Sequence, residues 1–160
     1  MMTYSSKWLR LCEAELAYRV CQHEALQDEA QLARDLKKAL AIPLENITAL
    51  RMWAAMQPSF ESITSLLPEV VDFAIDATRP DHIVLAREVL FQYKWRPELK
   101  NHLLPLIARY LAANDEWHYR RIAELYTHLQ YREELAAFLG LCRASDNVEI
   151  QEVGDDFAPL

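Results

Sequence analysis

Only two glycines, Gly140 and Gly154, occur in the 160 residues of this chain, where average usage would place about 11. Glycine supplies the positive φ of tight strand hairpins and the bare backbone of phosphate-cradling loops. With so few of them, a many-stranded sheet, a phosphate loop and a dinucleotide fingerprint are excluded, and an all-α fold is expected. The length suits one domain with a real core. At 52% hydrophobic and 26% charged residues, the chain is too apolar for disorder and too charged for a membrane protein. No apolar run approaches a transmembrane span.

Residues 1–58 read as three helices. Trp8, Leu11, Cys12, Leu16 and Val20 recur at spacings of three and four, one face of a helix, with Ser5 or Ser6 as its N-cap. A second helix starts near Asp28, with Gln31 completing a capping-box arrangement, and lines its inner face with Leu32, Leu36 and Leu40. Pro43 then opens a third in its first turn. That helix carries Ile47, Leu50 and Trp53 or Ala54, and Gln57-Pro58 ends it.

The remainder, residues 59–157, repeats. Leu66-Leu67-Pro68 returns 37 residues later as Leu103-Leu104-Pro105. In that register Val70 meets Ile107, Phe73 meets Tyr110 and Leu85 meets Ile122. A third copy follows after 31 residues, where Leu104 meets Leu135, Ile107 meets Phe138, Tyr110 meets Leu141 and Ile122 meets Val153. Each unit is an apolar helix, an Asp-containing turn and a second helix, an αα-hairpin. Pro68 and Pro105 either bend the first helix of their hairpins or open new helices; the bent helix is the expectation, with neighbouring hairpins compensating the lost hydrogen bond.

Leu103-Leu104-Pro105-Leu106-Ile107, Tyr110-Leu111, Asn114-Asp115, Arg120-Arg121 and Ile122-Ala123 resemble a HEAT-type repeat. So do Leu66-Leu67-Pro68 followed by Asp81, Arg87 and Val89. The third unit lacks the proline, and its Arg143 precedes the turn. The resemblance implies a short right-handed α-solenoid of stacked αα-hairpins with about eight or nine helices. It spans roughly residues 60–157, with 1–58 as a cap or a degenerate repeat. Both glycines fall in the last hairpin, where each costs about 1 kcal/mol relative to Ala, so that hairpin is expected to be the softest.

Charge is divided unevenly. Residues 1–58 carry 7 basic and 7 acidic residues, whereas residues 59–160 carry 10 basic and 17 acidic, the whole of the net charge of −7. This balance opposes nucleic-acid binding, which needs cations facing phosphates. The three cysteines, Cys12, Cys21 and Cys142, lack CxxC spacing and read as small buried hydrophobes. The first residues show no basic region followed by an apolar one, so a cytoplasmic location is expected.

No nucleophile elbow is present. A catalytic site would have to be assembled from scattered groups such as His102, His118, Glu124 and His128, and a non-enzymatic role is the better reading. His118, and likewise Asp81-His82, read as cap-region residues or as partner contacts. Glu133-Glu134 and Asp155-Asp156 diverge on a helix and read as solvated faces. In Phe91-Gln92-Tyr93-Lys94-Trp95 the rings cannot all share one face; Phe91 and Trp95 are expected to seal the core between hairpins.

Small acidic all-helical immunity proteins of bacterial toxin–immunity pairs look similar to this chain, as does its ending from Ser145 to Phe157. That resemblance implies a non-catalytic acidic protein that occludes a basic toxin nuclease domain, as a monomer in a one-to-one complex. No cofactor, metal, nucleic acid or membrane partner is expected. The expected contact set is Asp115, Glu116, Glu124, Glu149, Glu152, Asp155 and Asp156, with Trp117 and Tyr119 as aromatic anchors. The alternative is an intracellular HEAT-like adaptor or assembly subunit binding a peptide or helix, in which the acidic excess serves solubility.

Overall fold

The computed structural model describes residues 4–157. Among them there is no strand, and ten α-helical segments occur, one of them a single turn. In chain order these are α1 (Ser6–Leu26), α2 (Glu29–Leu40), α3 (Asn46–Ala55), the one-turn α4 (Phe60–Ile63), α5 (Leu67–Ile75) and α6 (Pro80–Phe91). They continue with α7 (Pro97–Leu111), α8 (Glu116–Leu129), α9 (Arg132–Arg143) and α10 (Val148–Asp156). A 3-10 turn, Thr64–Leu66, joins α4 to α5.

Helix starts follow local capping chemistry. Ser5 accepts from the Trp8 N–H at 3.2 Å and Asp28 from the Gln31 N–H at 3.0 Å. α3 begins at Asn46 behind Glu45, three residues later than the Pro43 start expected; Pro43 lies in the preceding turn. Pro80 and Pro97 open α6 and α7, where a missing N–H costs nothing. With no glycine at positive φ, the left-handed positions fall to Asn114 (φ 51) and Gln130 (φ 60). Gln130 is the C-cap of α8, a place where glycine is usual.

The helices pair as α2–α3, α5–α6, α7–α8 and α9–α10, and each pair packs on the next. α3 lies on α6, α6 on α8 and α8 on α10, while α5 lies on α7. One apolar core runs through the pairs, from Leu36 and Leu40 through Trp53, Leu67, Leu90 and Ile122 to Val153. Full burial of such side chains contributes about 1.5–3 kcal/mol each.

Hydrogen bonds between hairpins recur near one repeat length. The Tyr93 hydroxyl donates to the Pro58 carbonyl at 2.9 Å, spanning 35 residues, and the Tyr131 hydroxyl to the Lys94 carbonyl at 2.9 Å, spanning 37. The Arg87 guanidinium reaches Glu124 at 2.8 Å across 37 residues, and Arg120 reaches Asp156 at 2.8 Å across 36.

Four expectations change. Pro105 lies inside α7, but Pro68 sits in the first turn of α5, so only one of the two interrupts a helix. Trp95 is 83% exposed instead of sealing the core, while Tyr93 is buried and Phe91 half-buried. Among the described residues nothing covers the Trp8–Val20 face of α1, and α1 has no buried residue. Cys12 and Cys21 are accordingly exposed, and only Cys142 is buried.

Gly154 also has a role beyond softening its helix. A Cβ there would stand 2.7 Å from Arg143 Cγ, 3.1 Å from the Arg143 nitrogen and 3.1 Å from the Leu139 carbonyl oxygen. α10 therefore approaches α9 so closely that a side chain in place of Gly154 would require Arg143 and the α9 backbone to shift. Gly140 meets nothing within 4 Å.

Candidate functional site

The turns between paired helices carry a polar ladder. Asp115, the N-cap of α8, accepts from the His118 N–H at 3.0 Å, and its second oxygen lies 2.6 Å from His118 Nδ1. The far ring nitrogen of His118 lies 3.1 Å from Asp76, the C-cap of α5. The Tyr110 ring packs 5.5 Å from the His118 ring, and the Tyr110 hydroxyl donates to Asp72 at 2.6 Å. One hairpin earlier His82 repeats the arrangement. Its nitrogens lie 3.0 Å from Asp81 and 2.8 Å from Asn46, and its ring stacks 5.5 Å from Phe73. Both histidines thus fasten one hairpin to the one before.

Charge follows this geometry. Partial burial pulls the His118 pKa down, but Asp115 and then Asp76 outweigh it and hold it above the ordinary histidine value. Burial acts to raise Asp115, yet its hydrogen bonds from His118 hold it below the carboxylate range. Asp81, facing His82 and Arg79, is lowered to about 2.

Most of the acids in the expected contact set are engaged within the fold. Glu116 and Asp156 share Arg120, at 2.9 and 2.8 Å. Glu124 holds Arg87 at 2.8 Å and Arg121 at 3.1 Å. Asp155 faces Arg143 at 3.3 Å. Glu149 and Glu152 are exposed and, among the described residues, form no ion pair. Asp146, outside the expected set, shares that state and lies in the turn before α10. Of the aromatic anchors, Trp117 is 44% exposed beneath the Arg121 guanidinium, 4.3 Å from its ring centre. Tyr119 is occupied by stacking on Phe138 at 5.6 Å.

The scattered histidines are not brought together. His102 lies 6.1 Å from the Phe60 ring, His118 belongs to the ladder and His128 meets the edge of Phe91 at 5.5 Å. Burial lowers the His128 pKa. Among the described residues no group of three His, Cys, Asp or Glu side chains is placed to hold a metal ion. None of the described helices is long and apolar enough to cross a membrane.

The loop after α6 also borders a concave surface. A groove of about 810 Å³ opens between the loop after α6 and the start of α9. Lys94, Trp95, Arg96, Lys100, Tyr131 and Arg132 line it, with Glu133 and Glu134 at its edge. The Lys94 ammonium sits 3.8 Å from the Phe91 ring centre and 4.6 Å from that of Trp95. Lys100 pairs with Glu134, and Arg96 with Glu61. The sequence signal for this groove is the Phe91–Trp95 cluster, whose rings cannot all share one helix face; Trp95, expected in the core, is the ring that lines the groove.

No family model matches the chain, no curated protein matches it, and no solved structure matches its fold.

Proposed function

We propose that the chain is a non-catalytic binding protein, a HEAT-like α-solenoid whose acidic C-terminal hairpin receives a basic protein partner. The partner class that fits is a toxin nuclease domain, which makes the chain an immunity protein acting by occlusion. One observation carries this reading. Among the described residues, Asp146, Glu149 and Glu152 are exposed without counter-ions on the last hairpin, whereas the acids beside them are neutralised by Arg120 and Arg143. A surface that grips phosphate is positive. Unpaired carboxylates on this hairpin can meet it, speed encounter and block the phosphate site. Trp117 supplies an aromatic anchor nearby in the stack. The test is capture with the tagged full chain, then titration of the recovered protein at several salt concentrations. A basic partner bound one hairpin deep and weakened by salt supports the reading.

One observation favours the adaptor reading. The groove floored by Tyr131 and flanked by the exposed Trp95 is large enough for a peptide segment or the edge of a helix. A partner whose binding is lost in Trp95→Ala, and kept when the α10 acids are neutralised, would assign the function to that groove.

A further inference from the structure

A gap separates α7 from α9. α5 packs on α7, but α9 packs chiefly on α8 and α10 and does not extend that row. Two cavities lie along the gap and share Lys100, Tyr131 and Glu134. The larger, about 810 Å³, is the groove of Lys94, Trp95, Arg96 and Arg132 described above. The smaller, about 210 Å³, continues it along α7 and is lined by Leu103, Leu104 and Tyr126. Together they form a trough with a cationic, aromatic end and an apolar end.

The loops that flank the cationic end hold each other. The Tyr131 hydroxyl donates to the Lys94 carbonyl at 2.9 Å, and the Lys94 ammonium donates to the Gln130 side-chain oxygen at 2.6 Å. Lys94 stands 4.6 Å from the Trp95 ring centre, and Lys100 stands 4.6 Å from that of Tyr131. Cations and rings are thus set side by side before any occupant arrives, which lowers the ordering cost of binding. Trp, Tyr and Arg are the side chains that most often anchor protein interfaces.

Charge selects the occupant. The chain has a net charge of −7, yet this lining is positive, with Lys94, Arg96, Lys100 and Arg132 against Glu133 and Glu134. Glu134 already holds Lys100, and Glu61, outside the groove, holds Arg96. Among the described residues Lys94 and Arg132 have no carboxylate partner. One or two carboxylates from an occupant complete them. Glu133 and Glu134 oppose a run of phosphates, and the apolar end suits a hydrophobic side chain. A peptide therefore fits where a nucleic acid does not.

We propose that the trough binds an acidic peptide segment, its carboxylates meeting Lys94 and Arg132 and an apolar side chain lying against Leu103, Leu104 and Tyr126. The inference rests on the adaptor reading of this groove and adds the chemistry of its occupant; it does not involve the acidic last hairpin. The test is selection of a phage-displayed random peptide library on the full chain. The recovered peptides are then titrated against the wild type and the variants Trp95→Ala, Arg132→Glu and Leu104→Gln. All three side chains are exposed, so the variants keep the wild-type circular dichroism. The expected peptides combine Asp or Glu with an apolar residue, and each substitution weakens their binding at least about tenfold. Basic or neutral peptides that depend on Trp95 would overturn the acidic occupant and keep the adaptor reading. Acidic peptides that bind Arg132→Glu or Leu104→Gln as tightly as the wild type would overturn the proposal; if they also ignore Trp95→Ala, the adaptor reading falls with it. No enrichment at all would overturn both. A thymidine dodecanucleotide that binds more tightly than any recovered peptide, and is lost in Trp95→Ala and Arg132→Glu, would give the trough to nucleic acid and overturn the proposal.

Discussion

The Tyr131 hydroxyl donates to the carbonyl of Lys94 at 2.9 Å, and it stands one repeat after Tyr93, which donates to Pro58 in the same way. At these two successive positions a loop tyrosine ties down the loop one hairpin earlier. Burial raises both phenols to about 12, so the bonds persist across the physiological range. Tyr131→Phe leaves the Lys94 carbonyl without this partner and should cost about 1 kcal/mol in urea unfolding, with an unchanged m value. Tyr93→Phe should cost more, because Tyr93 also accepts from the Trp53 indole at 3.2 Å.

The two glycines should respond in opposite directions. Gly140→Ala enters open space within a helix and should stabilise by up to about 1 kcal/mol. Gly154→Ala gains the same propensity but brings a Cβ to 2.7 Å from Arg143 Cγ and 3.1 Å from the Arg143 nitrogen and the Leu139 carbonyl oxygen, so α9 must shift to admit it. It should destabilise by about 1–3 kcal/mol. Thermal unfolding of the two variants beside the wild type checks both signs.

The His118 ladder makes part of the stability pH-dependent. Asp76 and Asp115 hold the folded-state pKa of His118 above its unfolded value. Its contribution is therefore complete below the ordinary histidine pKa of about 6.5 and is lost as pH rises through the folded value. Asp115 works the other way: its contribution is present above the carboxylate range and is lost on acidification. The stability difference between wild type and His118→Gln should shrink as pH is raised from about 6 to about 8, by less than about 1 kcal/mol for a pair this near the surface. A difference that is constant over that range would remove His118 from the account.

Trp95→Ala should leave stability within about 0.5 kcal/mol of wild type, because the ring is 83% exposed. Chemical denaturation of the variant measures this directly, and a larger loss would mean the ring packs in the folded chain.

How far the sequence reached depended on whether a feature is local. Ser5, Asp28 and Gln57-Pro58 mark helix ends through contacts within a few residues, and the structure places the ends there. The same Leu-Leu-Pro triplet has two outcomes because of what precedes it. Pro97 starts α7 well before Pro105, whereas Pro58 and a 3-10 turn leave only a short lead-in to Pro68, which lands in a first turn. Periodicity showed that α1 is a helix with an apolar face. Whether another helix covers that face depends on contacts distant in sequence, and among the described residues none does. The acids were legible as charges, but their engagement was not, because Arg87 and Arg120 reach them from a neighbouring hairpin 36 or 37 residues away.

Central to the account is the claim that the unpaired acids of the last hairpin recognise a basic partner. The most direct measurement is the salt dependence of the dissociation constant for the captured partner, compared between wild type and a variant carrying Asp146→Asn, Glu149→Gln and Glu152→Gln. Wild-type affinity should fall steeply with salt, and the variant should bind at least about tenfold more weakly, with a shallower slope. A neutral or acidic partner, or an affinity indifferent to salt and to the three substitutions, would contradict it.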